Sequence, residues 1–206
     1  MDTDTRTGVV LAGGYSTRFG EQDKAFAEID GTPMLTRVVD RLAGVVDCVV
    51  VSCRTDQQPA FEGALAAIVD ETSVRFALDP EPDRGPLAGI GHAFEAVEST
   101  YAAVVACDMP FVDPEFVRFL FEQAAGHDAA VPELDDGYRQ PTQAVYHVDS
   151  FSLVADRRLA ADKRSLQGVL DALDTVVIPA STVAVHTEWR TLADVNTRAD
   201  LDALDS

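Results

Sequence analysis

The sequence predicts an α/β fold of three layers, in which helices cover both faces of a doubly wound, mainly parallel sheet. Short apolar runs that end in Gly or Asp alternate with amphipathic stretches of about ten residues, and this alternation is typical of βαβ units. The chain has 206 residues, of which 47% are hydrophobic, so it can bury the core of one sizeable domain. No internal repeat, linker or low-complexity tract divides it, and we expect a single domain over residues 1–206.

The first elements follow from short patterns in the N-terminal part of the chain. Gly8 to Ala12 is a continuous apolar run before two glycines, which is typical of a strand buried on both faces. Thr32-Pro33 favours a helix start before the amphipathic stretch Met34 to Ala43, because proline suits the first turn of a helix. Cys48 to Ser52 is predicted to be the next buried strand, and a helix is expected around Pro59 to Ala67.

The remaining elements continue the alternation and then become more mixed. A short strand is expected to end at Leu78-Asp79, followed by the loop Pro80 to Gly85 and a helix over Leu87 to Val97. The clearest strand is Ala102 to Cys107, which runs into Asp108-Met109-Pro110. The last elements predicted are a helix over Pro114 to Ala124, a strand over Ala129 to Val131, candidate antiparallel strands over Gln143 to Val148 and Val176 to Val185, and a short helix over Asp200 to Leu204.

The charge of the chain is strongly negative. Asp and Glu number 35 against 16 Lys and Arg, which gives a net charge of −19. Such a protein is poorly suited to a non-specific grip on nucleic acid, and an anionic membrane surface would repel it. The acidic residues are spread along the whole chain, and Lys24 and Lys163 are its only lysines. This pattern predicts a surface adapted to a high-salt cytoplasm, with an ordinary acidic cytosolic protein as the alternative.

The cysteines and the N-terminal residues indicate the cellular compartment of the protein. Cys48, Cys53 and Cys107 are an odd number without CxxC spacing, which argues against a disulfide framework or a zinc site. Residues 1–10 contain no apolar stretch typical of a signal peptide, and no run approaches the ~20 apolar residues of a membrane span. We therefore expect free thiols in a cytoplasmic protein.

The richest segment for chemistry is Leu11 to Gly20, with Asp23-Lys24 after it. It follows a predicted buried strand, where open α/β sheets place their ligand crevices. Glycines there let the backbone approach a ligand, and successive N–H groups can surround phosphate oxygens. Arg18 and Lys24 bring two cations to the same segment, which indicates an anion site. The alternative is a Gly-rich turn with solvated surface cations.

Two further segments follow strands in the same way. Asp108 ends an apolar strand, and a carboxylate that faces a phosphate-binding loop suits Mg²⁺, although Asp108 could instead cap the following turn. Asp79 to Ile90 joins a strand to a helix through Gly and Pro, and such a rigid loop could shape a nucleobase pocket with backbone groups.

Taken together, these segments resemble the MobA-type molybdenum cofactor guanylyltransferases. The family pattern reads LAGG-x3-R-[MF]-G-x2-DK, then GPLAG, then CD-x-P, and near the C-terminus NTP-x-DL. The matching segments here are Leu11 to Lys24, Gly85 to Gly89, Cys107 to Pro110 and Asn196 to Leu201. Order and spacing agree from about residue 8 to residue 204. The first motif is shared with many nucleotidyltransferases, whereas GPLAG together with CDMP is much more specific.

The resemblance implies a Rossmann-like nucleotidyltransferase fold and an Mg²⁺-dependent reaction. In that reaction GMP passes from GTP to the terminal phosphate of molybdopterin-bound molybdenum cofactor, and pyrophosphate is released. It also implies GTP and the molybdopterin cofactor as substrates, with molybdoenzymes or cofactor-delivery proteins as transient partners. Nucleic acid and membranes are not expected partners.

The resemblance also implies roles for individual residues. The backbone of Leu11, Ala12 and Gly13 would contact the guanine nucleotide. Arg18 and Lys24 would neutralise charge on the leaving pyrophosphate, and Asp108 would hold the Mg²⁺. A nucleotide contact is expected from the acidic residue before GPLAG, for which Asp79 at the strand end is the first candidate and Asp83 the alternative.

Departures from the pattern leave some contacts open. Cys53 stands where family members often have an Asn near the nucleotide, and a thiol cannot replace the hydrogen bonds of that amide. Arg198 replaces the usual Pro. The acceptor side is less clear: Arg139, Lys163 and Asn196 could meet the pterin phosphate, but Asn196 could equally be the N-cap of the last helix. Alternative functions are a nucleotidyltransferase of the same fold with another acceptor, and a non-catalytic nucleotide-binding protein.

Overall fold

A computed structural model describes residues 5–14, 23–69, 72–79, 84–197 and 199–200 of the chain. The strands in these ranges are β1 (Thr7–Leu11), β2 (Glu28–Ile29), β3 (Thr32–Pro33), β4 (Cys48–Arg54), β5 (Ser73–Asp79), β6 (Tyr101–Ala106), β7 (Ala129–Pro132), β8 (Gln143–His147) and β9 (Thr175–Ile178). The α-helices are α1 (Met34–Ala43), α2 (Gln58–Val69), α3 (Pro86–Phe94), α4 (Pro114–Ala124), α5 (Val148–Ala160), α6 (Leu166–Leu170) and α7 (Ala180–His186). Two 3₁₀ turns, Lys24–Phe26 and Trp189–Leu192, complete the regular structure of these ranges.

Within the described residues, seven strands form one sheet in the order β5-β4-β1-β6-β8-β7-β9. The strand pairs of β1, β4, β5 and β6 are parallel, as are β7 and β9, whereas β8 runs antiparallel to both of its neighbours. The predicted mainly parallel sheet is therefore confirmed. Because β1 lies between β4 and β6, the segments that follow all three strands meet at one edge of the sheet.

Two separate apolar cores show that helices cover both faces. Val10 and Val105 point to the face that is packed by α1, α2 and α4, whereas Val9 and Val104 point to the face that is packed by α3, α5 and α6. This alternation follows from the two-residue period of a strand. Each of these valines is at most 1% exposed, and full burial of a side chain of this size contributes about 1.5–3 kcal/mol. The three-layer prediction is confirmed.

A two-residue hairpin, which was not among the predicted elements although Asp30-Gly31 is a hairpin signal, leads the chain into α1. Asp30 and Gly31 have φ angles of 52° and 73°, which are typical of the Asp-Gly turn that joins β2 to β3. Pro33 is the N-cap of α1, so the helix begins at Met34 as predicted. Ile29 and Met34 pack with Phe111 and Val195 in a small third core, which holds the hairpin against the segment after β6 and against the C-terminal part of the chain.

Several boundaries and one element type differ from the predictions. The expected strand Val176 to Val185 was wrong in its second half, because Pro179 ends the strand as the N-cap of α7. Its first half, β9, is parallel to β7 rather than antiparallel. Helices α5 and α6 were not predicted, and α3 ends at Phe94 rather than Val97. Most of the predicted helix Asp200 to Leu204 lies outside the described residues. Among the described residues no helix is long and apolar enough to cross a membrane.

Candidate active site

Lys24 and Asp108 are brought together as the sequence predicted. Lys24 Nζ donates a hydrogen bond to Asp108 Oδ2 at 2.8 Å, which is also an ion pair between side chains that are 15% and 28% exposed. Nζ donates a second hydrogen bond of 2.8 Å to Asn196 Oδ1. Asp108 and Asn196 thus meet at one ammonium group, although they are 84 and 172 positions away from Lys24 along the chain. A cation held at two acceptors has little freedom to move, which favours a fixed anion-binding position next to it.

The two strand ends explain why this pair forms. β1 and β6 are parallel neighbours, and Cys107 N donates to Leu11 O at 3.0 Å just beyond their ladder. The chain then turns at Met109, whose N–H donates to Ala106 O at 3.0 Å, and this turn leaves Asp108 at the sheet edge. On the other side, Asp23 caps the 3₁₀ turn that carries Lys24 by accepting from Ala25 N at 3.1 Å.

A cavity of about 210 Å³ lies between these groups. It is lined by the end of β1, by the turn that begins at Lys24 and by the segment after β6, in detail by Leu11, Ala12, Gly14, Asp23, Lys24, Ala25, Ala106, Cys107 and Asp108. Leu11 and Ala12 of the predicted segment therefore line the same cavity as the predicted cation and carboxylate, whereas Gly13 does not line it. Arg18, the other predicted cation, lies outside the described residues.

A second cavity, of about 240 Å³, adjoins the first, because Leu11 and Gly14 line both. Its other lining residues come from the ends of β4 and β5, from the start of α3 and from the LAGG segment, namely Gly13, Ser52, Asp79, Gly85, Pro86 and Gly89. Gly85 has a φ of 86° at the N-cap of α3, a conformation that residues with a side chain rarely adopt. The GPLAG segment thus forms a wall of this cavity, at the place predicted for a nucleobase pocket.

Of the two acidic candidates before GPLAG, Asp79 lines the second cavity. Asp83 lies outside the described residues. Ser52 and Gly89 line the same cavity, and a hydrogen bond of 3.5 Å from Ser52 Oγ to Gly89 O joins them at its wall. Ser52 was not predicted as a site residue, although its position one residue before Cys53 at the end of a strand could have indicated it.

Cys53 is not among the residues that line these two cavities. Its side chain is fully buried in the core between the sheet and α2, where desolvation raises the pKa of the thiol to about 12. Burial likewise raises the pKa of the Cys107 thiol. The expected free thiols are confirmed for all three cysteines. This position gives the thiol of Cys53 no access to the second cavity, which is lined by other residues.

The residues that were considered for the acceptor side separate in the structure. Arg139 is held by α6, where it donates to Asp171 Oδ1 at 2.6 Å and to Gln167 Oε1 at 3.1 Å. Lys163 is exposed. The side chain of Asn196 accepts a hydrogen bond from Lys24, which lines the first cavity.

Asn196 is not the N-cap of the last helix, which was the alternative considered for it. Asp200 Oδ2 accepts hydrogen bonds from the backbone N–H groups of Asn196 and Thr197 at 2.8 and 2.7 Å, and these bonds lower the pKa of Asp200. Thr197 Oγ1 accepts in return from Asp200 N at 3.2 Å. This reciprocal pattern is a capping box with Thr197 as the cap, and it leaves the Asn196 side chain to Lys24.

The donor groups at the first cavity fit a divalent cation that is also bound by substrate phosphates. Mg²⁺ typically takes one or two protein carboxylates and completes its shell with phosphate oxygens and water. Asp108 supplies one carboxylate, and no cluster of three His, Cys, Asp or Glu side chains that could enclose a metal occurs among the described residues. A carboxylate offers several acceptor positions, so Asp108 can keep Lys24 on Oδ2 and contact a cation as well.

The fold and the chain are similar to a set of known proteins. The family described as "MobA-like NTP transferase domain" matches residues 8–177. A "probable molybdenum cofactor guanylyltransferase" from Natronomonas pharaonis is 43% identical over 197 residues, which cover 96% of this chain and 95% of the relative. A protein of the same description from Haloferax mediterranei is 36% identical over 206 residues, covering 100% of this chain and 95% of the relative.

Solved structures give the same picture at the level of the fold. Molybdopterin-guanine dinucleotide biosynthesis protein A from Archaeoglobus fulgidus superposes with a TM-score of 0.75 at 26% identity, over 96% of this chain and 95% of that one. A 4-diphosphocytidyl-2C-methyl-D-erythritol synthase from Anaerococcus prevotii also reaches 0.75, at 12% identity over 98% and 97% of the two chains. The second likeness shows that the fold itself is shared beyond one substrate class.

Proposed function

Since this chain belongs to the MobA-like NTP transferase family, we propose that it transfers GMP from GTP to molybdopterin-bound molybdenum cofactor. The products are the guanine dinucleotide form of the cofactor and pyrophosphate. The observation that carries the proposal is the meeting of Lys24 and Asp108 in one cavity with the LAGG backbone, in a chain 43% identical to a probable molybdenum cofactor guanylyltransferase.

The two adjoining cavities suit the two parts of the nucleotide. The second cavity, walled by Gly85, Gly89 and Ser52, takes the guanosine, and Asp79 at its rim offers a carboxylate acceptor to guanine or ribose donors. The first cavity takes the triphosphate between the backbone after β1 and Lys24. Leu11 and Gly14 line both cavities, so the α-phosphate would lie near the boundary between them.

The reaction is an in-line displacement at the α-phosphorus. An oxygen of the terminal acceptor phosphate forms the new bond to phosphorus while the bond to the bridging oxygen of the β-phosphate breaks. The acceptor phosphate is anionic near neutral pH, so no general base is needed. Catalysis then depends on position and charge neutralisation, for which Lys24, fixed by Asp108 and Asn196, is suited.

Asp108 would hold a Mg²⁺ ion, which when bound neutralises charge on the phosphate oxygens. The chain's own contribution is to place that carboxylate rigidly at the end of β6. Val195 N donates to Asp108 O at 2.8 Å and the turn at Met109 fixes the backbone on the other side, so the carboxylate does not depend on a loose loop for its position. Arg18 remains a proposed second cation for the pyrophosphate.

The test uses the purified full chain with GTP, Mg²⁺ and extracted molybdopterin cofactor at high salt. We expect a guanine dinucleotide product by mass spectrometry and an equal amount of pyrophosphate. Parallel reactions with CTP and UTP measure nucleotide choice. Faster turnover with CTP, or with a sugar phosphate or cobinamide acceptor, would assign the chain to another nucleotidyltransferase class. Binding of GTP without pyrophosphate release for any acceptor would favour a non-catalytic nucleotide-binding protein.

A further inference from the structure

Gln57, which no sequence motif indicated, lies just behind the site and is only 4% exposed. Its side-chain Nε2 donates two hydrogen bonds, one to Ala12 O at 3.1 Å and one to the carboxylate of Asp23. Its Oε1 accepts from Arg54 N at 2.9 Å. One buried amide group thus joins the end of β4 to the end of β1 and to the residue that precedes Lys24.

Arg54 strengthens the same connection. Its Nη1 donates to Gly13 O at 3.1 Å and to Gly14 O at 2.9 Å, and its Nη2 lies 4.0 Å from Asp23 Oδ2. Gly13-Gly14 and Asp23 are the described residues on either side of positions 15–22, so both ends of the predicted phosphate-binding segment are bonded to the end of β4 or the turn after it.

The hydrogen-bonding groups around position 57 require an amide side chain. Two of the groups around it, the Ala12 carbonyl and the Asp23 carboxylate, accept hydrogen bonds, and the third, the Arg54 N–H, donates one. Glutamine meets all three, because its amide carries two donor hydrogens and an acceptor oxygen. A glutamate of nearly the same shape would face two acceptors with a negative charge, in a partly buried site where such repulsion is strong.

We propose that Gln57 is a positioning residue for nucleotidyl transfer: it fixes the spacing between the backbone at Ala12 and the turn that carries Lys24, and so the distance between the two sides of the triphosphate site. The proposal rests on the proposed function for its assignment to that reaction. A residue of this kind acts through its neighbours, and loss of such support typically costs roughly 10- to 100-fold in rate or affinity.

The experiment compares Gln57→Glu and Gln57→Met with wild type, and uses Gln58→Glu as the matched control. Gln58 makes the same kind of amide contact, but with Glu62 on the exposed side of α2. We expect Gln57→Glu to lower kcat/KM for GTP by roughly 10- to 100-fold at about pH 8, with the KM of the acceptor unchanged. Gln57→Met, which removes the hydrogen bonds without adding charge, should be affected less. Gln58→Glu should match wild type.

The pH profile separates positioning from simple stability. The charged groups around position 57 within the described residues are Asp23, Arg54 and Asp56. In Gln57→Glu, a carboxyl next to Asp23 takes up a proton as the pH falls towards about 6, and the neutral acid can donate to Asp23. The ratio of variant to wild-type kcat/KM should therefore rise on acidification, whereas for Gln57→Met it should stay constant.

The outcomes are distinct. Wild-type kcat/KM in Gln57→Glu at every pH would overturn the proposal, as would an equal, pH-independent loss in Gln58→Glu. If Gln57→Glu does not fold, unchanged kcat/KM for GTP in Gln57→Met overturns it. Calorimetric binding of GTP to each variant keeps the test separate from the proposed function. If wild type binds GTP but forms no dinucleotide, the proposed function fails, and a roughly 10-fold weaker GTP affinity in Gln57→Glu still supports the role of Gln57.

Discussion

Lys24 shows how a flexible side chain becomes a fixed charge. The ammonium group of a lysine sits on a flexible chain of four carbons and is normally mobile in water. Here the ammonium donates to a carboxylate of one segment and to an amide oxygen of another, and its side chain is 15% exposed. The ion pair with Asp108 is only partly screened by solvent, so under the proposed function both groups are already in position when phosphate oxygens arrive.

Substitution of Lys24 by Ala should lower kcat by roughly 100-fold, because the charge on leaving pyrophosphate would lose a fixed counter-charge. Lys24→Arg should restore only part of this, since the planar guanidinium has a different reach. Steady-state kinetics with GTP as the varied substrate measures both. Lys163→Ala is the control, because Lys163 is exposed and lies outside the site: a change there should fall on the KM of the acceptor or be absent. The reverse result, with kcat lost in Lys163→Ala only, would place the phosphate site elsewhere.

Substitution of Asp108 by Asn should abolish Mg²⁺-dependent turnover and leave the fold intact. The amide oxygen of Asn can still accept from Lys24, and the backbone contact from Val195 does not involve the side chain, so the melting temperature should change little. Removal of a formal charge from a Mg²⁺ ligand weakens metal binding far more than this substitution weakens the fold. Turnover at a range of Mg²⁺ concentrations, together with a thermal melt, checks both parts. Wild-type rates at ordinary Mg²⁺ would show that Asp108 is not the ligand.

For single residues, the sequence indicated those that belong to short motifs but not those that act from outside the motifs. Lys24 and Asp108 were found because a cation after a Gly-rich segment and a carboxylate after an apolar strand are unusual in type and position. Gln57 is an ordinary polar residue in a turn before α2, and only the three-dimensional approach of β4 to β1 gives it three partners. The role of Asn196 was left open because capping by Thr197 depends on a hydrogen-bond pattern that several local residues could have formed.

Among the elements, α3 presents a glycine to the second cavity. Gly89 lines the second cavity, and a Cβ atom there would meet Ser52 Oγ at 3.8 Å, which is ordinary contact. A larger side chain would extend into the space predicted for guanosine. Gly91 lies two residues further along the same helix and is not among the residues that line this cavity, and a Cβ atom at that position would meet no described neighbour within 4 Å.

Substitution of Gly89 by Val should raise the KM for GTP by about 10-fold or more and leave kcat nearly unchanged, because it removes binding that is common to the ground and transition states. Gly91→Val is the matched control, since it makes the same change in helix propensity on the same element. Competition with a fluorescent GTP analogue measures affinity directly. An equal loss of affinity in both variants would mean that the helix was destabilised and that the second cavity is not the guanosine site.

Prediction of elements succeeded where burial and local preference agree. Strands β1, β4 and β6 are short, continuous apolar runs in the middle of a sheet, and helices α1 and α4 carry clear amphipathic patterns, so each was placed to within about two residues. Residues 180–185 contain two valines and were assigned to a strand, yet Pro179 starts a helix there and only Val183 of the seven residues of α7 is buried. Short apolar runs of this kind do not distinguish strand from helix by period alone.

The whole molecule carries its charge as a surface property. A net charge of −19 repels itself when counter-ions are scarce, and exposed ion pairs such as Arg75 with Glu98 contribute little against that repulsion. The relatives from Natronomonas and Haloferax are consistent with the predicted adaptation to high salt. Under the proposed function, most of this acidic surface repels the substrate phosphates, so the ammonium of Lys24 contributes more to binding than it would in a neutral protein.

Stability and activity should therefore both increase with salt. Between about 0.1 M and about 1 M KCl the screening length falls from about 10 Å to about 3 Å, which weakens repulsion across the surface. A thermal melt and a turnover assay at several KCl concentrations should show a melting temperature and a rate that both rise with salt. An identical melt at low and high KCl would show that the acidity has another origin.

The fold of the described residues could be predicted because the alternation of strands and helices leaves few arrangements, and the antiparallel strand expected over Gln143 to Val148 is confirmed in β8. No sequence pattern indicated that β8 lies between β6 and β7. At the segment that joins β7 to β8, Tyr146 OH donates to Pro141 O and Glu133 pairs with Arg139. Such contacts join residues whose pairing no local sequence pattern predicts.

The bond from Lys24 to Asn196 has a consequence for the way the protein is made. The two residues are 172 positions apart, and at ordinary rates of translation Lys24 leaves the ribosome roughly ten to thirty seconds before its partner. During that time β1 also waits for β4 and β6, which must be synthesised before they can flank it. A growing or interrupted chain can thus build much of its sheet before Asn196 is present to accept from the ammonium group. The hydrogen bonds that fix Lys24 are therefore complete only after Asn196 has been synthesised and has folded back onto the start of the sheet.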